Sequence, residues 1–153
     1  LVKTGVAVRT GTPHPKVSTR EELRAAFEQA QGIYFPDPSL ATAGIHFMKV
    51  LTALGLHERK AAQFRVHPNG ATAMGEMAKS NEPGLIGCTQ VTEINYTAGV
   101  DLVANLPTEF ELATDYTLGV CSSATEPALA QQLSDMLCGS ASEAIRRQGG
   151  FEF

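Results

Sequence analysis

The sequence predicts an α/β domain, doubly wound around a mostly parallel sheet, and three observations predict it. Short apolar runs alternate with amphipathic stretches along the whole chain, the order that builds a parallel sheet covered by helices. Two of these runs, Gly32-Ile-Tyr-Phe35 and Phe64-Arg-Val66, stop at a turn and lead into a helix that opens on small residues. A third run, Gly84-Leu-Ile-Gly-Cys88, is continuous enough for a central strand buried on both faces.

Taken in order, Gly5-Val-Ala-Val-Arg9 is a strand closed by Gly11-Thr-Pro-His-Pro15. Ser18-Thr-Arg-Glu21 is a capping box, with Ser18 at the N-cap, and its helix sets Leu23, Ala26, Phe27 and Ala30 on one face. Strand 32–35 follows, then helix 44–54 with Ile45, Met48, Leu51 and Leu54 buried and Gly55 as its stop. Leu56 to Gln63 reads as a short helix leading to strand 64–66, and helix 71–79 uses Ala and Met to pack closely. After strand 84–88 come a short strand at 99–104 and a long extended run, Phe110 to Cys121. Helices at 126–138 and about 141–148 close the chain, the first with Glu126 and Pro127 in its opening turn.

The two small-residue helix starts are the candidate site. The first N–H groups of a helix lack internal partners and lie at the positive end of its dipole, so they attract anions. Thr42, Ala43 and Gly44 leave that backbone open at one start, and Asn69, Gly70 and Ala71 at the next. Gln90, in Thr89-Gln-Val-Thr-Glu-Ile94, lies just past a third strand end. In a parallel α/β sheet all these loops share the carboxyl edge, where ligands bind.

Bulk properties narrow the classes. A chain of 153 residues, 43% hydrophobic and 18% charged, is one domain with a real core. A net charge of −4 gives no support to nucleic-acid binding. No apolar run approaches the ~20 residues that span a bilayer. Leu1 to Gly5 reads as folded domain, not as a leader. Cys88, Cys121 and Cys138 lack metal or redox spacing and read as structural, although Cys121 and Cys138 could pair in an oxidising compartment. His14, His46, His57 and His67 show no metal-ligand spacing. No cofactor and no metal are expected.

Five segments resemble one family in register. Gly5-Val-Ala-Val-Arg-Thr-Gly11, Ser18-Thr-Arg-Glu-Glu-Leu23, Asp37-Pro with Ala43-Gly-Ile-His-Phe47, Ile86-Gly-Cys-Thr-Gln-Val-Thr-Glu-Ile94, and Val100-Asp-Leu-Val with Leu106-Pro occur in the order of the molybdate-binding-protein-like periplasmic solute-binding proteins of ABC transporters. The resemblance implies a type 2 periplasmic-binding fold, a Rossmann-like three-layer lobe with antiparallel crossing strands. It implies a ligand-binding lobe at 5–109 and a crossing strand with C-terminal helices at 110–153, most of the first lobe being absent from the chain. Residues 5–9 would then pair antiparallel with residues within 112–121.

The resemblance further implies a small anionic ligand, a permease partner and a periplasmic location. Ala43 falls where the family offers a helix-start amide, with Thr42 and Gly44 beside it; Asn69, Gly70 and Ala71 fall at the second start. Gln90 falls where molybdate binders place a Tyr, so molybdate itself is in question, and a carboxylate suits an amide equally. The surface left by a missing lobe also makes self-association, as a homo-oligomer, an expectation.

Two other classes compete. An enzyme could use the same cleft, with Glu93, His67 or Asp37 as acid–base groups, but no carboxylate pair or His–carboxylate spacing supports it. Asp37 before Pro38 reads as a turn residue. The chain is therefore expected to bind and not to catalyse. A ligand-sensing domain of a regulator can share the two-lobe fold.

Overall fold

The computed structural model describes residues 1–153. Its strands are β1 (Val2–Arg9), β2 (Gly32–Pro36), β3 (Phe64–His67), β4 (Leu85–Gln90), β5 (Val100–Asn105) and β6 (Ala113–Thr114). Its helices are α1 (Arg20–Gln29), α2 (Thr42–Ala53), α3 (Gly70–Lys79), α4 (Val91–Asn95), α5 (Pro127–Cys138) and α6 (Glu143–Gly149). The sheet runs β3-β2-β4-β1-β5, with β6 added to β1. Strand β2 pairs parallel with β3 and β4, whereas β1 lies antiparallel to both β4 and β5. The sheet is thus mostly parallel, with β1 crossing it in the opposite sense.

Alternation along the strands makes three layers. Ile33 and Phe35 of β2, Ile86 and Cys88 of β4, and Val6 and Val8 of β1 face α1 and α2 in one buried cluster. Leu23, Phe27, Phe47, Val50 and Leu51 meet them there. On the other face Ala7, Tyr34 and Leu85 meet Ala73, Met74 and Met77 of α3 and Ile94 of α4. Gly87 lets α3 approach, because a Cβ there would lie 2.6 Å from Met74 Cε. The methionines fill the irregular gap that results.

Several expectations are corrected. The capping box is Thr19 with Glu22: Thr19 Oγ1 accepts the Glu22 N–H at 3.2 Å, and Glu22 Oε2 accepts the Ser18 N–H at 3.0 Å. Both frames satisfy the same motif, so the letters alone do not choose. Residues 56–63 are a turn and a single 3-10 turn, not a helix. Their polar stretch, His57 to Lys60, has no apolar face to bury, and Lys60 Nζ instead donates to the carbonyls of Glu28 and Ala30. Strand β4 is central as expected, but β3 is an edge strand. Ile45 points outward from α2 at 36% exposure.

The crossing pair is antiparallel but shifted. Ala113 and Thr114 pair with Lys3 and Val2, while residues 5–9 are taken by β4 and β5. With β1 paired on both sides from Gly5 to Ala7, the return strand pairs only with its first residues. The run 110–121 is otherwise irregular. Lys3 ties it down through Glu111 at 3.0 Å and Glu152 at 3.4 Å, hydrogen bonds that raise the lysine's pKa above its ordinary value. Helix α5 has no buried residue, and Leu129, Leu133, Met136 and Leu137 are all exposed.

Candidate functional site

Because β2, β3 and β4 are parallel, Pro36, His67 and Gln90 end at one edge of the sheet. The loops that leave this edge enclose a cavity of about 200 Å³. Thr42, Ala43, Asn69, Gly70 and Gln90 line it together with Pro36, Ala41, Glu93 and Tyr116. Two of the seven residues singled out from the sequence, Gly44 and Ala71, are not in that lining.

The two helix starts differ in kind. Ala41 is the N-cap of α2 and no side chain caps this helix, so its first amides keep their donors for a ligand. Gly44 serves packing: a Cβ there would overlap the carbonyl oxygens of Pro36 and Asp37. At α3 the donors are already engaged. Asn69 Oδ1 accepts the Thr72 N–H at 2.8 Å, and Glu93 Oε1 accepts the Ala71 N–H at 3.2 Å. Glu93 Oε2 accepts the hydroxyl of Thr89. Gly70 is needed because a Cβ there would overlap both Thr89 Oγ1 and Glu93 Oε2. The expectation of two equivalent open helix starts is therefore corrected, since the Glu93 carboxyl already accepts an amide of the second.

Gln90 is buried at 8% exposure. Its Nε2 donates to Thr114 Oγ1 at 3.2 Å and its Oε1 accepts the phenol of Tyr116. Tyr116 was not legible as a site residue: it lies 26 positions away, in the extended run. Its one signal is that a return strand beside β1 brings this aromatic to the ends of the central strands. From the sequence Glu93 offers itself only as an acid–base group, not as a partner of the α3 start.

The remaining candidates lie elsewhere. Asp37 Oδ1 accepts the amides of Ser39 at 2.6 Å and Leu40 at 3.1 Å, the turn role read from the sequence. His67 stacks on Tyr34, with ring centroids 5.7 Å apart, and does not line the cavity. His46 Nε2 meets the Phe110 carbonyl at 2.7 Å. Cys88 is buried and Cys121 and Cys138 are exposed, all three free. No group of three or more His, Cys, Asp or Glu side chains could hold a metal ion.

A larger hollow of about 690 Å³ lies between Tyr116–Leu118 and the C-terminal residues. Its walls are mainly apolar, with Thr117, Asp115, Glu152 and Arg146 among the polar residues. No Lys or Arg lines the smaller cavity, and Glu93 is its one carboxylate.

The model of the family described as bacterial extracellular solute-binding protein matches residues 3–152. A curated protein named aconitate isomerase, from Pseudomonas sp, is 27% identical over 146 residues, covering 94% of this chain and 53% of that protein. Two solved structures share the fold. One, the periplasmic molybdate-binding protein of Azotobacter vinelandii, has a TM-score of 0.66 at 18% identity, over 99% of this chain and 66% of that one. The other, the substrate-binding domain of a molybdenum ABC transporter protein from Clostridium difficile, has a TM-score of 0.64 at 12% identity, over 99% and 63%. This chain spans about half the length of the curated relative. That relative also corrects the expectation of binding without catalysis, because a protein with a matching half is named for an isomerisation.

Proposed function

The chain belongs to the bacterial extracellular solute-binding proteins, and from that premise we propose that its α2–α3 cavity captures a small anionic solute outside the cytoplasm. The observation that carries this reading is the uncapped start of α2, which shares with buried Gln90 the lining of a cavity without Lys or Arg. Backbone donors held rigidly by the fold bind an anion without the desolvation cost of a buried cation.

The ligand end at α2 is a carboxylate or similar oxyanion. An extended ligand can set one carboxylate at α2 and keep its remaining charge away from Glu93, which a compact tetrahedral dianion such as molybdate, filling the small cavity, cannot do. In this reading residues 5–109 form the ligand lobe and 110–153 return the chain. Another lobe would close over the cavity and cover the apolar face of α5. Closure matters, because one exposed helix start contributes only about 0.3–1 kcal/mol. An ABC transporter permease would receive the solute in the periplasm.

A second reading, isomerisation of a bound carboxylate in the same cleft, is favoured by Glu93 in the lining and by the relative named aconitate isomerase. Melting of the full-length protein with trans-aconitate, sulfate and molybdate tests the ligand class. A rise in melting temperature with trans-aconitate above that with either inorganic anion supports a carboxylate site. No rise with any of the three overturns the anion reading.

A further inference from the structure

We propose that Glu93 is the proton acceptor for an allylic proton shift in a small unsaturated polycarboxylate held in this cavity; the proposal rests on the carboxylate reading above. Glu93 is the one carboxylate in the lining. Both groups that hold it are donors: the Ala71 N–H on Oε1 and the Thr89 hydroxyl on Oε2. Each oxygen keeps a lone pair, so the side chain is fixed in place and still able to take a proton. Thr89 sits on β4 with no exposure and Ala71 in the first turn of α3, so the base stands on rigid elements and not on a loop.

The α2 start, in the same lining, suits the other half of the reaction. Removing a proton from carbon next to a carboxylate pushes charge onto the carboxylate oxygens. The uncapped amides of α2 are donors placed where that charge would grow, and such preorganised donors act most strongly in a site closed to water. The cavity thus holds both anion-stabilising donors and a fixed base in one lining, a pairing that anion capture alone does not require.

The step balances without any cofactor. Glu93 takes a proton from the methylene group between a carboxylate and a carbon–carbon double bond. The C–H electron pair becomes the new double bond, and the old π pair moves to the far carbon, where the adjacent carboxylate spreads its charge. The proton then passes from Glu93 to that far carbon, and Glu93 is again a carboxylate. Nothing is oxidised or reduced.

Full-length protein in D2O with trans-aconitate, followed by proton NMR, tests this. The wild type should wash the methylene protons out of trans-aconitate. Glu93→Gln should slow the wash-out by about 100-fold or more, the scale of lost general-base catalysis, while still binding trans-aconitate by calorimetry. Added formate should restore part of the exchange to Glu93→Ala, an effect that a merely structural carboxylate would not show. Wild-type protein that binds trans-aconitate without exchange overturns the proposal and leaves the binding reading standing. Wild-type exchange rates in Glu93→Gln also overturn it. Failure of the wild type to bind trans-aconitate overturns the carboxylate reading itself.

Discussion

The phenol of Tyr116 donates to Oε1 of Gln90 and so ties the return segment to the end of the central strand β4. Gln90 is 8% exposed, and Thr114 Oγ1 accepts its other end at 3.2 Å. Both halves of one side-chain amide are thus spent on residues of the return segment.

Tyr116→Phe leaves the buried Gln90 Oε1 without its donor. The expected loss of unfolding free energy is about 1 kcal/mol, read from urea unfolding. An unchanged midpoint would show that the contact contributes nothing in solution.

Gly70→Val should remove any stabilisation of the full-length protein by trans-aconitate. Its side chain overlaps the positions of Thr89 Oγ1 and Glu93 Oε2 and pushes the carboxylate into the cavity. His57→Ala, outside the lining, should leave that stabilisation intact. Equal ligand-induced melting shifts in wild type and Gly70→Val would contradict the geometry.

Much of this arrangement was legible in the sequence. The strand–turn–helix repeats at Phe35, Val66 and Cys88 marked which loops share an edge, because apolar runs bounded by turn residues report strands directly. Small residues at 42–44 and 69–71 marked the two helix starts that border the cavity, with Thr42, Ala43, Asn69 and Gly70 in its lining. What the letters did not carry was which donors stay free. The Glu93 contact with Ala71 spans 22 positions, and whether that carboxylate caps α3 or faces solvent depends on how α4 packs. The register of the return strand was missed for a similar reason. β1 is already paired with β4 and β5 from Thr4 or Gly5 onward, which no local pattern announces.

Thr4 lies opposite Gln90 in the β1–β4 pair, and its buried hydroxyl has no hydrogen-bond partner. Thr4→Val removes that unpaired group at nearly constant shape. Unfolding free energy should rise, by about 1 kcal/mol on the scale of a buried unpaired polar group. A fall in chemical denaturation would mean that the hydroxyl is satisfied in solution.

Cys88 is fully enclosed, and burial pushes its thiol well above the ordinary value of 9.0. Cys121 and Cys138 are exposed. After reduction and removal of the reductant, Ellman's reagent should titrate the two exposed thiols in the native protein and Cys88 only on unfolding. The linkage has a definite sign: above pH 9 the unfolded chain loses the Cys88 proton while the native state keeps it. This thiol's contribution to stability is therefore complete below pH 9 and declines as pH rises further. Rapid native labelling of Cys88 would contradict its enclosure.

The central claim is that an anion binds at the start of α2 while α3 is held by the protein's own Glu93. The most direct measurement is a titration of ¹⁵N-labelled full-length protein with trans-aconitate, following backbone amide shifts. The amides of Thr42 and Ala43 should move first and furthest. Those of Ala71 and Thr72, bonded to Glu93 and Asn69, should move much less. Shifts centred instead on Thr117, Leu118 and Leu137, around the larger apolar hollow, would contradict the account.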